Sequence, residues 1–189
     1  MKKGLLIFAV VAACGQAALA APQRCPDTGH YYEMIFGIRN WYEARDDAAG
    51  RAYQGEVGHL VTITSSAEMD FVLDSIMEGS GSTAFAGGYQ PAGATSPTDP
   101  WFWVTGETWD YTAWASDEPD HASGAAGNAI SVNLHDRGWQ DFTAEGVTDA
   151  YVVEYAPEPG TACLLALCIP VASRRKIRSR NRSRRVTRC

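Results

Sequence analysis

The pattern of hydrophobic and polar residues predicts an opening strand followed by a helix. The run His30–Ile38 is rich in aromatic and branched residues, which favour a β-strand. Asn40 follows as a helix N-cap. Within Trp41–Tyr53 the apolar residues recur at spacings of three and four, at Trp41, Ala44, Ala48 and Ala52. This spacing predicts a helix whose narrow face, made mostly of small residues, packs closely against its neighbours.

A second strand and a second helix are predicted next. Gly58–Thr64 is a short run typical of a strand, and Ser65 with Glu68 three residues later forms a capping box for a helix. The helix extends to about Gly79, which we expect to cap its C-terminus. Its apolar face consists of residues at helical spacing: Met69, Val72, Leu73, Ile76 and Met77.

Beyond Gly79 the periodic pattern gives way to a long stretch rich in Gly, Ser, Pro and Thr. Large aromatic residues interrupt this stretch at Phe85, Trp101, Trp103, Trp109 and Trp114. Their density favours an ordered loop region in which most of the tryptophans form core rather than stack on sugars. Two short strands, Gly138–Phe142 and Ala150–Tyr155, then complete a single α+β domain over Asp27–Tyr155.

The composition fits a folded domain with an uneven distribution of charge. Of the 189 residues, 46% are hydrophobic and 11% aromatic, which is ordinary for a globular protein. The net charge of −6 conceals a segment, Ala21–Ser173, that holds all 22 acidic residues, five arginines and no lysine, and so carries −17. Such a field repels nucleic acid and attracts cations. We therefore expect no nucleic-acid partner.

Residues 1–20 have the parts of a secretory signal peptide. Two lysines precede the apolar run Gly4–Ala13, and the small residues Ala18-Leu19-Ala20 form a cleavage site before Ala21. The alternative is lipoprotein processing, because Cys14 ends a Val-Ala-Ala-Cys sequence that resembles a lipobox and would then carry the lipid. Both interpretations predict an exported protein.

The C-terminal segment, residues 156–189, combines three parts in a fixed order. The motif Pro157-Glu158-Pro159 is followed by the apolar run Thr161–Ala172 and by a basic tail that begins at Arg174. The apolar run is too short for a permanent spanning helix, and a basic block after it orients a membrane segment. A tail that binds anionic lipid or nucleic acid is the alternative. The segment resembles a PEP-CTERM sorting signal, which implies transient membrane engagement and cleavage by an exosortase-type protease in a Gram-negative-like envelope.

Cysteines and catalytic motifs are scarce in the domain itself. Cys25 is the one cysteine between residues 21 and 156, so no internal disulfide is expected. His30, His59 and His135 lack the spacing of metal ligands and fit structural or surface roles. The sequence contains no nucleophile elbow, zinc motif or phosphate-binding loop, and we expect no enzymatic activity.

The order of these features resembles a C-type lectin-like domain over the whole of Asp27–Tyr155. The matching landmarks are Trp41, Ala44, Gly58-His59-Leu60-Val61-Thr62-Ile63, Trp103-Val104-Thr105-Gly106, Trp114, Glu118-Pro119-Asp120, Trp139-Gln140-Asp141 and Tyr151-Val152-Val153-Glu154-Tyr155. The resemblance implies an α+β fold of two helices with small antiparallel sheets and a long loop region. It also implies that both usual disulfides are missing, because non-cysteine residues stand at the four matching positions: Ala52, Val153, Ala129 and Ala144.

The same resemblance implies a site for calcium and a sugar. The residues that match its ligands, for the ion and for two sugar hydroxyls alike, are Glu118, Asp120, Gln140 and Asp141. Carboxylate and amide oxygens are the ligands that calcium prefers. Pro119 would be a cis proline that turns its neighbours toward the ion, and His121 would flank the sugar.

Three departures from the family pattern bear on this site. Glu118-Pro119-Asp120 offers two acceptors and no amide, so the class of sugar stays open. Gln140 is one methylene longer than the family's Asn, and Gly127 stands where the family has another acidic ligand. We therefore expect weak calcium binding, with a Kd on the order of 10⁻³ M.

These observations lead to two main hypotheses of function. The first is an exported carbohydrate-binding protein of the cell surface, outer envelope or matrix, with weak calcium dependence. The second is a calcium-independent protein-interaction or scaffold module of the same fold, which Gly127 and Gln140 favour. A glycosidase that uses Glu118 and Asp120 has less support, because the sequence indicates no buried environment that would raise one carboxyl pKa.

Overall fold

The structure is a computed structural model, and it describes residues 21–121 and 127–156. These residues belong to one compact unit that extends over Met1–Pro157. The predicted signal peptide with Cys14 and the motif Pro157-Glu158-Pro159 lie outside the described residues. No helix within the described residues is long and apolar enough to cross a membrane.

The described residues form nine strands and two helices, so the predicted α+β class is confirmed. The strands are β1 (Gln23–Arg24), β2 (Tyr31–Asn40), β3 (Ala52–Tyr53), β4 (Glu56–Leu60), β5 (Thr83–Tyr89), β6 (Phe102–Trp103), β7 (Gly127–Asn133), β8 (Gly138–Thr143) and β9 (Val147–Tyr155). The helices are α1 (Trp41–Ala49) and α2 (Ser66–Phe71), and α2 continues as a π-helical segment, Val72–Ile76.

Helix α1 begins as the sequence predicts but ends earlier. Asn40 Oδ1 accepts the backbone N–H of Glu43 at 2.9 Å, and the Glu43 carboxylate accepts the N–H of Asn40 at 3.1 Å. The buried face consists of predicted residues: Trp41, Ala44 and Ala48. Because the helix ends before Gly50, Ala52 lies outside it, exposed in β3.

Helix α2 has half of its predicted capping box. Ser65 Oγ accepts the backbone N–H of Glu68 at 3.2 Å. The Glu68 carboxylate does not bond back to Ser65; it is buried and accepts from the N–H of Thr64 at 2.8 Å and the hydroxyl of Tyr32 at 2.6 Å. The predicted apolar face is buried throughout: Met69, Val72, Leu73, Ile76 and Met77.

The strands pair in the order β1-β2-β9-β5-β7-β8, with β4 also on β9 and β6 also on β5. One pair differs from the antiparallel arrangement that we expected. β5 and β9 run parallel, with Ala84 opposite Ala150 and Phe85 opposite Tyr151. This pair joins the two halves of the sheet, because β2 and β4 lie on β9 while β6 and β7 lie on β5.

Strand β5 was not predicted, because its sequence Thr-Ala-Phe-Ala-Gly-Gly-Tyr does not alternate between polar and apolar residues. The five central residues are buried, so both faces of the strand pack against protein. A Cβ on Gly88 would lie 2.4 Å from Cδ1 of Ile130, and one on Gly87 would lie 2.7 Å from the carbonyl oxygen of Leu60. The glycines are therefore needed for close packing rather than for a turn.

Two hydrophobic clusters hold the sheet and helices together. One packs around α1 and contains Trp41, Ala44, Ala48, Leu60, Phe85, Ala129, Ala144, Tyr151, Val153 and Tyr155. The other contains the apolar face of α2 and its π-helical continuation, the free cysteine Cys25, and the tryptophans Trp101, Trp103 and Trp139. The members of both clusters named here lie between residues 21 and 156.

The first cluster contains three of the four positions that match the family's cysteines, which are Ala129, Ala144 and Val153. The match of Ala52 is wrong, since Ala52 is exposed and outside this cluster. Ala48 is the buried residue of α1 that shares a cluster with Val153, and a Cβ on Gly58 would lie 2.7 Å from the backbone oxygen of Ala48 and 3.0 Å from Cγ1 of Val153. Small apolar residues thus fill the space that a cross-link would occupy.

The tryptophans of the loop region form core, as predicted. Trp103 is 2% exposed and Trp101 7% exposed, and Trp109 and Trp114 pack against the same cluster. Neighbouring rings lie close together, with 4.6 Å between the centroids of Trp103 and Trp109 and 5.0 Å between those of Trp101 and Trp114. This aromatic cluster gives the irregular stretch a fixed shape beside β8.

Candidate functional site

The loop that carries Glu118-Pro119-Asp120 is held against the start of β8. The backbone N–H of Trp139 donates to the carbonyl of Ala113 at 2.8 Å, and the N–H of Ala115 donates to the carbonyl of Trp139 at 2.9 Å. The Glu118–Pro119 peptide bond is cis, as predicted. The loop therefore passes directly beside Asp141, two residues further along β8.

Three carboxylates meet at this point of the fold. Glu118, Asp120 and Asp141 each place an oxygen within 4.8 Å of the other two. Asp141 is 3% exposed, and its two oxygens accept the backbone N–H groups of Asp120 at 3.1 Å and His121 at 2.9 Å. The Asp141 carboxylate thus fixes the loop as well as contributing to the cluster.

His121 lies beside the cluster, where the sequence predicts it. Its Nε2 is 3.7 Å from Oδ2 of Asp141 and donates to Oε1 of Gln90 at 3.2 Å. Gln90 was not predicted as part of the site, because a lone glutamine before a proline carries no distinctive signal. It is 3% exposed, and its Nε2 donates to the carbonyls of Ser96 and Asp99 at 3.1 and 2.9 Å. Gln90 therefore links the loop 91–100 to the carboxylate cluster.

The structure does not bring Gln140 to the cluster. Its side chain contacts Asn133 Nδ2 at 3.4 Å and Asp136 Oδ2 at 3.0 Å instead. Successive residues of a strand point to opposite faces, so Gln140 and Asp141 of β8 diverge. The role of Gln140 as a ligand therefore stays a prediction, since its side-chain atoms bond to Asn133 and Asp136 here.

Gly127 is explained by the position of Asp141. A Cβ on Gly127 would lie 2.1 Å from Oδ2 of Asp141 and 2.9 Å from Cδ2 of His121. Contacts this short do not occur, so any side chain at position 127 would displace the Asp141 carboxylate. The buried position of the Asp141 carboxylate therefore requires that position 127 has no side chain, and so no acidic ligand.

Burial and neighbouring negative charge alter the titration of Glu118. Burial, a hydrogen bond with Asp141 and the charges of Asp141 and Asp120 raise the pKa of Glu118 to about 7. A raised pKa means that the ionised form is disfavoured in the folded protein. A cation placed among the three carboxylates would relieve this repulsion.

Replacing Glu118 by glutamine is expected to remove one source of pH dependence. The pKa of Glu118 rises from 4.5 to about 7 on folding, so its contribution to stability is present below pH 4.5 and is lost as the pH rises to 7. Glu118→Gln should therefore gain stability relative to the wild type across this interval. Urea unfolding at several pH values measures the difference. Parallel pH profiles for the two proteins would contradict the prediction.

The three carboxylates fit a calcium ion in chemistry but supply only part of its coordination. Calcium takes six to eight oxygen ligands, usually from carboxylates, carbonyls and water. Glu118, Asp120 and Asp141 would hold the ion, while Gln140 and Gly127 contribute no side-chain oxygen in this arrangement. Water or ligand hydroxyls would have to supply the remaining positions, which is consistent with weak binding.

A second group of buried carboxylates, away from this cluster, was missed by sequence analysis. Glu154 is 2% exposed, and it accepts from Nδ1 of His30 at 2.7 Å and from both the N–H and hydroxyl of Thr62 at 3.0 Å. The Tyr32 hydroxyl lies 2.6 Å from Glu68 and 3.2 Å from Glu154. The sequence feature that indicates this group is Glu154, an acidic residue within the apolar run of β9.

The charges in this group are partly balanced. Burial acts against ionisation of Glu154, but the hydrogen bond from His30 and the nearby His59 lower its pKa. The hydrogen bond with Glu154 in turn raises the pKa of His30. Burial and the charge of Glu154 raise the pKa of Glu68. His30 and His59 thus have structural roles at one buried carboxylate.

Comparison with known proteins supports the fold more strongly than any activity. No protein-family model matches the chain. The chain is 30% identical over 153 residues to Halomucin of Haloquadratum walsbyi, a match that covers 72% of this chain. The chain spans only 2% of the length of that protein.

Solved structures resemble the described fold despite low identity. The C-type lectin CEL-I from Cucumaria echinata has a TM-score of 0.58 at 20% identity, with 67% of this chain and 90% of the lectin covered. A calcium-independent type II antifreeze protein has a TM-score of 0.54 at 19% identity, with 67% and 86% covered. At these identities the likeness shows the fold and not a shared activity. The domain of this protein therefore has the C-type lectin-like fold.

Proposed function

We propose that this protein is exported and binds carbohydrate at the cell surface or in the extracellular matrix, with help from a weakly bound calcium ion. The observation that carries the proposal is the cluster of Glu118, Asp120 and Asp141 at the cis-proline turn. Clustered carboxylates can bind the ion and accept hydrogen bonds from sugar hydroxyls at the same time. The exposed position of Asp120 leaves the cluster accessible from solvent.

Export is part of the proposal and rests on the N-terminal sequence. The parts of residues 1–20 match a secretory signal, with Cys14 as the alternative point of processing. The Pro157-Glu158-Pro159 motif and the basic tail support sorting by an exosortase-type protease after transient membrane engagement. Similarity to a protein named Halomucin agrees with a role at a surface or in a matrix.

A calcium-independent interaction or scaffold module is the second candidate. Both oxygens of Asp141 already accept backbone N–H groups, and Gln140 bonds to Asn133 and Asp136 instead of the cluster. The likeness to a calcium-independent antifreeze protein indicates that this fold serves proteins without the ion.

A glycan array run with calcium and again with a chelator separates the two candidates. We expect glycan binding that the chelator abolishes, with half-saturation at about 1 mM calcium. Asp141→Asn should lose this binding, because it removes the charge of the buried carboxylate at the centre of the cluster. Asp46→Asn, whose side chain is 71% exposed on α1, should bind as the wild type does.

Three results would contradict the carbohydrate proposal. One is the absence of any bound glycan in the presence of several millimolar calcium. Another is binding that neither the chelator nor Asp141→Asn changes. The third is the capture of a purified matrix protein that is indifferent to calcium, which would favour the scaffold module.

A further inference from the structure

A depression with mostly apolar walls lies beside the loop 91–100. Its volume is about 290 Å³, close to the lower limit of common ligand pockets. The residues that line it are Pro91, Ala94, Asp99, Pro100 and Phe102. Phe102 is 45% exposed, so much of its ring is open to a ligand. Among the described residues the lining thus combines apolar walls with one carboxylate, which suits a ligand that carries both C–H and hydroxyl groups.

The loop that forms the depression is held by its own hydrogen bonds. The Asp99 carboxylate accepts the backbone N–H groups of Thr95 at 2.8 Å and Ser96 at 3.0 Å. The indole N–H of Trp101 donates to the carbonyl of Pro97 at 3.2 Å. The depression is therefore formed before a ligand arrives, and binding does not have to order the loop first.

The buried side chain of Gln90 joins the depression to the carboxylate cluster. Its Nε2 donates to the carbonyl of Asp99 at 2.9 Å, and its Oε1 lies 3.2 Å from Nε2 of His121. The same nitrogen of His121 is 3.7 Å from Oδ2 of Asp141. Two side chains, those of Gln90 and His121, thus separate Asp99 from Asp141. The depression and the cluster are therefore neighbouring parts of one region.

The charge of the domain limits what can occupy the depression. The segment Ala21–Ser173 holds 22 acidic residues, five arginines and no lysine. Asp99 places a carboxylate at the depression itself, and the carboxylate cluster lies nearby. This field repels a ligand that carries carboxylate or sulfate groups. The charge thus favours a neutral ligand over an anionic one.

We propose that the depression binds the second residue of a neutral oligosaccharide whose first residue is held at the carboxylate cluster. One face of a pyranose ring presents C–H groups, which pack favourably on the negative face of an aromatic ring. Phe102 supplies the exposed ring, and Pro91 and Pro100 add rigid apolar contacts beside it. The proposal rests on the carbohydrate binding proposed above, and it adds that the protein prefers oligosaccharides to single sugars.

Calorimetric titration of the full chain at several millimolar calcium tests the proposal. The probes are the methyl glycosides of mannose, galactose and N-acetylglucosamine, and neutral disaccharides that end in the same sugars. We expect a disaccharide to bind about tenfold more tightly than its methyl glycoside, and Phe102→Ala should remove this difference without weakening binding of the methyl glycoside. Phe102→Tyr keeps the ring and should keep the difference. Val57→Ala, at a residue 48% exposed on β4, is the matched control and should bind both probes as the wild type does.

Three results would overturn this proposal while leaving carbohydrate binding in place. They are equal affinity of the wild type for disaccharide and methyl glycoside, a preference for the disaccharide that persists in Phe102→Ala, and tighter binding of a disaccharide that contains a uronic acid. Asp141→Asn should instead lose both probes, because it alters the cluster that holds the first sugar. If the wild type binds no probe at all, the proposed carbohydrate binding itself is wrong, and this proposal is wrong with it.

Discussion

Replacing Glu154 by alanine is expected to destabilise the domain by about 3–5 kcal/mol, as the loss of one member of a buried ion pair usually does. The change leaves His30 and Thr62 without their buried acceptor. It also removes one of the two carboxylates that the Tyr32 hydroxyl approaches. Urea unfolding followed by tryptophan fluorescence measures the loss.

The effect of Glu154→Ala should depend on pH in a defined way. Glu154 has a lowered pKa, so its contribution is present above the ordinary value of 4.5 and is lost as the pH falls through the folded value. His30 has a raised pKa, so its part is present below 6.5 and is lost as the pH rises through the folded value. The loss in the variant should therefore be largest between about pH 4.5 and 6.5.

A control variant separates the loss of a buried carboxylate from the loss of an exposed one. Glu145 is an exposed carboxylate whose partner is the nearby Thr143 hydroxyl, and Glu145→Ala should change stability by less than about 0.5 kcal/mol. Equal effects of the two substitutions, or a loss of stability from Glu154→Ala that does not vary with pH, would show that the His30–Glu154 pair does not hold this part of the fold.

Replacing Trp139 by alanine is expected to cost about 3–5 kcal/mol, the range for deletion of a fully buried large aromatic side chain. Trp139 is 0% exposed, and its ring centroid lies 5.4 Å from that of Trp103, 5.6 Å from those of Trp109 and Trp114, and 5.8 Å from that of Tyr111. The variant should also lose the calcium response, the stabilisation by calcium that the proposed site predicts, because Trp139 positions both the Glu118 loop and Asp141. Thermal unfolding with and without calcium measures both effects.

Trp139→Phe tests whether packing of the Trp139 ring is the cause of the lost stability. The indole N–H of Trp139 has no hydrogen-bond partner among the described residues, so phenylalanine loses ring volume but no hydrogen bond. It should cost about half as much as alanine or less and should retain the calcium response. Phe102→Ala, at a residue 45% exposed, should have a small effect. A loss from Trp139→Phe as large as that from alanine would contradict a packing role.

Local patterns predicted the helices and the loop motif well. Asn40 at the start of α1 and the apolar face of α2 follow from contacts between residues three or four apart. The cis proline and the carboxylates beside it, in Glu118-Pro119-Asp120, were expected from the resemblance to the lectin-like family. The sequence alone also indicated that most loop tryptophans form core, because their number exceeds what a surface site needs.

Other features depend on residues far apart in the chain. β5 lacks alternation because both of its faces are buried, and the residues that pack on them come from distant parts of the chain. Ala48 rather than Ala52 packs near Val153 because α1 ends at Ala49, where the chain turns toward β3. The spacing of Ser65 and Glu68 predicts a capping role for the Glu68 carboxylate, which instead bonds to Tyr32 and Thr64 in the interior.

The sequence by itself determined an acidic domain with two amphipathic helices, an ordered aromatic loop region and carboxylates around Pro119. Tertiary structure alone decided which side chains meet at the site. Asp141 turns into the cluster, and Gln140 turns away from it. Gly127 leaves the space that the Asp141 carboxylate occupies. The reason is physical, since side-chain type and spacing are encoded locally. The direction of a side chain and the charges around it are set by packing between distant segments.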